Sequence, residues 1–200
     1  MINKIKNKKR GFTLIEMLVA VLLLTTAITG PITIASKGLT ASIVAKDQIA
    51  AFFLAQDAVE YVRFIRESNR LAGLSWLTAL DSQDGTSNGH TAVFLANGGT
   101  CFSTASSRSC YVDSIRDRIE GCSLNNCNTA VRYDSANSYF TSGTSGPGSF
   151  TLQNFKRTVR IVTPAGSNAN EALLIVTVTW VDQANITRSV EVRESLFNWQ

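Results

Sequence analysis

Phe12 to Ala35 is one apolar run whose only charged residue is Glu16, and a basic cluster of Lys4, Lys6, Lys8, Lys9 and Arg10 precedes it. The run exceeds the roughly 20 residues that a helix needs to cross a bilayer. Its Leu, Ile, Val and Phe residues contribute roughly −4 to −7 kcal/mol to insertion, against about +3 kcal/mol for one central carboxylate. Insertion therefore wins despite Glu16. The basic cluster stays on the cytoplasmic side, which sends everything after residue 35 across the membrane. An ordinary secretory signal fits less well, because its apolar region is typically about 7–15 residues long and has no reason to carry a carboxylate near its start.

The same cluster explains the charge balance. The formal charge is +4 with a pI near 9.0, and removing those five basic residues takes +4 to −1. The rest of the chain has no global positive field to draw in phosphate, so nucleic acid is not expected as a partner. With 44% hydrophobic and 17% charged residues in 200, the remainder can bury one sizeable core.

The segment Lys8-Lys9-Arg10-Gly11-Phe12-Thr13-Leu14-Ile15-Glu16-Met17-Leu18-Val19 resembles the start of a type IV prepilin or pseudopilin. The resemblance implies a leader of residues 1–11, cleavage by a prepilin peptidase between Gly11 and Phe12, and methylation of the new amine of Phe12. It makes Glu16 the fifth mature residue, where the family keeps its glutamate for assembly. The residue types suit those roles. Gly11 has no side chain to hold a protease off the backbone. Phe12 carries a cation once cut, and pairing it with the Glu16 carboxylate of a neighbouring subunit relieves two costly charges together. The tip pseudopilin of secretion systems typically lacks this glutamate, so the resemblance argues against that subunit.

Further along, Gly30-Pro31 is expected to kink or melt a turn of the helix, because proline lacks the N–H and its ring clashes one turn back. The resembling pilins often carry a helix-breaking proline near this place. From Ser36 to about residue 70 the pattern turns amphipathic, with Phe52, Ala55, Val59, Val62 and Ile65 on one stripe and Lys46, Asp47, Asp57, Glu60 and Arg63 elsewhere. Residues 81–149, rich in Gly, Ser and Asn, are expected to be surface loops, with the lone histidine, His90, in a solvated loop. Phe150–Val162, Ala172–Val181 and Ile186–Leu196 read as three strands, with a hairpin turn at Asp182-Gln183-Ala184-Asn185. The expected fold is α+β and pilin-like: a membrane helix over 12–35, then a globular domain over 36–200 made of a helix at 36–70, loops at 81–149 and a small antiparallel meander at 150–197.

Cys101, Cys110, Cys122 and Cys127 form an even, clustered set, which points to bridges and an oxidising compartment. Adjacent pairing, Cys101–Cys110 and Cys122–Cys127, is preferred among three connectivities because each short loop is then pinned independently. A metal would want paired spacings, and only Cys122 to Cys127 fits one. No nucleophile elbow or phosphate-cradling glycine motif is present, so no enzyme activity, cofactor or metal is expected.

The chain is expected to be a structural subunit, a minor pilin or pseudopilin, that is single-pass in the inner membrane with its C-terminal domain outside the cytoplasm. Its partners would be prepilin peptidase, other pilins or pseudopilins, an inner-membrane assembly platform and membrane lipid. The alternative is a pilus-borne adhesin or DNA-uptake subunit using the 81–149 loops, where Arg108, Arg116, Arg118 and Arg132 with Tyr111 and Tyr133 would form a local patch diluted by Asp113, Asp117 and Glu120. Arginines interleaved with the acids would count against it.

Overall fold

The computed structural model describes residues 11–80, 86–87, 90–93, 101, 109–122, 130–135, 137–142, 150–163 and 170–198. Contacts divide the chain into two units, Met1–Lys46 and Asp47–Gln200. One helix, α1 (Leu14–Leu71), begins in the first and ends in the second. Among the described residues nine strands follow: β1 (Thr86–Ser87), β2 (His90–Val93), β3 (Cys110–Asp113), β4 (Arg118–Gly121), β5 (Ala130–Asp134), β6 (Tyr139–Ser142), β7 (Phe150–Val162), β8 (Glu171–Val181) and β9 (Thr187–Phe197). Long helix and largely antiparallel sheet make the fold α+β and pilin-like, with β2 and β4 as a parallel pair.

The meander is where periodicity placed it. β8 places Ala172, Leu174, Val176, Val178 and Trp180 in the core with α1, because side chains on a strand point to opposite faces in turn, and Ile175 on the other face is buried as well. β9 runs antiparallel to β8 without a bulge, from Glu171 opposite Phe197 to Val181 opposite Thr187. The intervening hairpin is closed by Asp182, whose carboxylate accepts the Ala184 and Ile186 N–H groups and pairs with Arg188. Asn185 sits at φ 60°, a conformation that Asn tolerates better than most residues.

Strand β7 joins the meander to the rest of the sheet. One edge pairs with β8 over Lys156–Val162, and the other pairs with β5 along its first half and with β3 at Val159. The expectation of surface loops over 81–149 is thereby corrected: this stretch holds β1 to β6, and Cys101, Cys110, Val112, Ile119 and Val131 belong to the buried core. His90 opens strand β2 rather than lying in a loop. Alternation is hard to read in strands of four residues, which is why these elements were missed.

In the second unit α1 buries Ala51, Leu54, Ala55, Ala58, Val59, Tyr61, Val62 and Ile65. The expected stripe is right for Ala55, Val59, Val62 and Ile65, but Phe52 is 45% exposed. Alanines occupy its place because a small side chain lets the helix approach a sheet already filled by Ile161, Leu174 and Trp180. At the C-terminus of α1, buried Asn69 donates to the Thr78 carbonyl and accepts the Leu74 N–H on its own carbonyl, with Gly73 at φ 72° turning the chain.

Candidate processing and assembly segment

The basic cluster lies outside the described residues, and the segment begins at Gly11. A Cβ placed on Gly11 would meet nothing within 4 Å, so the chain itself does not require glycine there. Phe12 is 77% exposed. Thr13 caps the helix: its carbonyl accepts the first helical bond, from Met17 N–H, and its Oγ1 accepts Glu16 N–H at 3.3 Å. Glu16 is thus the third residue of α1, where its negative charge opposes the positive end of the helix dipole. The role of Thr13 was missed from sequence, although Thr-x-x-Glu before an apolar run is a readable cap.

Every residue from 11 to 42 is exposed, including a continuous coat of Leu, Ile, Val and Phe. α1 has a mean hydropathy of 2.1 in its most apolar window, near the N-terminus, long and apolar enough to cross a membrane. The coat therefore awaits a covering of lipid or of other apolar helices, since the hydrophobic effect penalises leaving it in water.

α1 is helical throughout, Pro31 included, so no turn is melted at Gly30-Pro31. Proline costs the helix one N–H donor, but hydroxyls on either side add bonds to the same ladder. Thr29 donates to the Thr25 carbonyl at 2.5 Å and Thr33 to the Thr29 carbonyl at 2.9 Å, while Thr25 and Thr26 reach the Leu22 carbonyl. Such side-chain donors are how proline is tolerated in apolar helices.

Cys101 and Cys110 are joined by a disulfide, both fully buried, with Cα atoms 4.7 Å apart. The bridge fastens the start of β3, and the Cys101 carbonyl accepts Ile161 N–H from β7. Cys122 is disulfide-bonded, and Cys127 lies outside the described residues. Among the described residues no group of three or more His, Cys, Asp and Glu could hold a metal ion.

The β3–β4 turn is fixed to α1 by polar contacts that sequence reasoning did not find. Ser114 Oγ donates to Asp57 Oδ1 at 2.8 Å, and Tyr61 OH donates to Asp117 Oδ1 at 2.9 Å. Buried Arg157 points inward from β7 and donates to the Leu54 carbonyl, Asp57 Oδ2 and the Val112 carbonyl. Asp113 accepts Ile115 and Arg116 N–H groups within the turn and the Thr141 hydroxyl from β6. These contacts also settle the state of the arginines considered for a binding patch. Arg116 lies 3.9 Å from Asp113 and Arg118 3.2 Å from Glu120, so both are interleaved with acids. Arg132 is on β5, which is not a neighbour of β4, and Arg108 lies outside the described residues.

Residues 6–30 match the family model described as the prokaryotic N-terminal methylation motif. No curated protein and no solved structure matches the chain.

Proposed function

The chain is type IV prepilin-like, and from that premise we propose that it is a structural subunit, a minor pilin or pseudopilin. Prepilin peptidase cuts between Gly11 and Phe12 and methylates the Phe12 amine. The mature chain sits single-pass in the inner membrane with its disulfide-bearing domain outside the cytoplasm. From there it is drawn by the assembly platform into a type IV pilus or a type II secretion pseudopilus, alongside other pilins. One observation carries this reading: the methylation motif matched over residues 6–30 overlaps an apolar helical stretch that is exposed up to residue 42, a surface suited to lipid or to other apolar helices. The buried disulfide supports a domain that matures in an oxidising compartment.

Glu16 links the two stages, membrane storage and assembly. In the free subunit it stands in the first turn of α1; in the filament it meets the cationic N-terminus of a neighbour. Glu16→Gln separates these roles, because glutamine serves a helix cap as glutamate does but carries no charge. The variant keeps membrane insertion and peptidase cleavage. It loses incorporation, since stranding one partner of a desolvated pair costs about 3–5 kcal/mol, or roughly two to three decades or more in association. Co-purification of the tagged variant with sheared filaments or the pseudopilus complex measures this. Wild-type incorporation of Glu16→Gln contradicts the pairing.

The second reading, an adhesin or DNA-uptake subunit, has less support because Arg116 and Arg118 have acidic partners at hand.

A further inference from the structure

α1 begins at a definite place. Residues 11–13 are not helical, Leu14 is the first helical residue, and the first backbone bond of the helix runs from the Met17 N–H to the Thr13 carbonyl at 3.2 Å. The Thr13 hydroxyl takes a second donor, the Glu16 N–H at 3.3 Å. Thr13 is therefore an N-cap, a residue that satisfies orphan donors while its own backbone stays out of the helix. The two residues before it, Gly11 and Phe12, flank the bond assigned above to prepilin peptidase, and both are exposed.

We propose that Thr13 is a positioning residue for processing, because its cap stops α1 just short of the scissile bond and leaves the Gly11 carbonyl outside the helical ladder. The inference deepens the processing reading and rests on it. In the cleavage step water adds to the Gly11 carbonyl carbon, the C–N bond to Phe12 breaks, and the Phe12 nitrogen takes the proton. A carbonyl that accepts a helical N–H lies against the next turn and is closed to that approach. The surrounding sequence shows where the helix starts without the Thr13 hydroxyl. Downstream, the next residue of capping type is Thr25, so retreat leaves backbone N–H groups unpaired along an apolar segment, which is costly. One residue upstream stands Phe12, a poor cap. Two residues upstream stands Gly11, an accepted one. A start there makes the Gly11 carbonyl the acceptor of the Ile15 N–H, and the scissile bond becomes part of the helix.

The test uses the full chain in detergent, carrying carbonyl-¹³C glycine and ¹⁵N phenylalanine, which together mark the chain's single Gly–Phe bond. Without peptidase, Thr13→Val moves the Gly11 carbonyl resonance toward the helical range, and Thr13→Ser leaves it at the wild-type position. With purified prepilin peptidase, the wild-type chain is cut at this bond, Thr13→Val is cut about fivefold more slowly, and Thr13→Ser and Thr13→Asp keep the wild-type rate. Valine matches threonine in shape, so a peptidase that read the shape of this side chain would accept valine and reject aspartate. Adding Leu14→Pro to Thr13→Val restores cleavage, because proline suits the first helical position and disfavours a helical residue before it. A wild-type chain left uncut contradicts the processing reading itself. With the wild type cut, three results overturn the proposal: a wild-type rate for Thr13→Val, an unmoved Gly11 resonance in that variant, or slow cleavage of both Thr13→Ser and the valine–proline double variant.

Discussion

Tyr61 and Asp182 show how single side chains tie this domain to pH, in opposite directions. Burial, reinforced by the hydrogen bond to Asp117, holds the Tyr61 hydroxyl well above the ordinary tyrosine range. A raised folded value means that the unfolded chain ionises first, so stability is full below pH 10.0, the ordinary tyrosine value, and is lost as pH rises above it. Tyr61→Phe removes this alkaline loss along with the hydrogen bond, costing about 1 kcal/mol at neutral pH; unfolding midpoints measured between pH 7 and 11 check both effects. Asp182 behaves in the converse way. Its bonds from Ile186 N–H and Arg188, with a further bond from Ala184 N–H, favour the carboxylate and hold it below the ordinary 3.8. The stability it supplies is present above that value and disappears as pH falls through the lower folded one. Asp182→Asn flattens the acid limb of a midpoint-against-pH curve without changing the alkaline limb.

The elements differ in how far the sequence reveals them, and the difference follows from the range of the interactions that make each one. The apolar run, the amphipathic half of α1 and the strands from Phe150 onward rest on local periodicity over many residues, and all three were legible. β3 to β6 are short, and what holds them comes from far along the chain: Val112 through the Arg157 guanidinium, and Asp113 through Thr141. Arg157 itself sat unnoticed in a strand, because its partner Asp57 is 100 residues away. At Pro31 the helix continues without a melted turn, and threonine hydroxyls on either side bond to carbonyls one turn back. Arg157 also gives the element-scale prediction. Arg157→Leu strands the Val112 carbonyl and breaks the tie between α1 and β7, costing about 2–4 kcal/mol. Asp57→Asn costs about 1 kcal/mol or less, because the Asp57 side chain is 43% exposed and water screens the lost charge. Urea unfolding of the detergent-solubilised chain, followed through buried Trp180, ranks the two.

At the scale of the whole molecule, the chain divides its work between a segment with no core of its own and a domain that supplies one. Residues 11–42 are exposed throughout, and the buried residues gather in the second unit. The proposed N-terminal site is contiguous: Gly11, Phe12 and Glu16 lie within six positions and need no fold to bring them together. Since a side chain at Gly11 would touch nothing in the chain, Gly11→Leu leaves folding and insertion intact and blocks only processing; precursor of full length accumulating in the inner membrane is the expected result. The most direct measurement is intact-mass and N-terminal peptide analysis of the wild-type chain from the membrane fraction of cells that contain prepilin peptidase. The expected chain begins at Phe12 and carries one added methyl group on its amine. A chain that still begins at Met1, or one cut near Ser36, would contradict it.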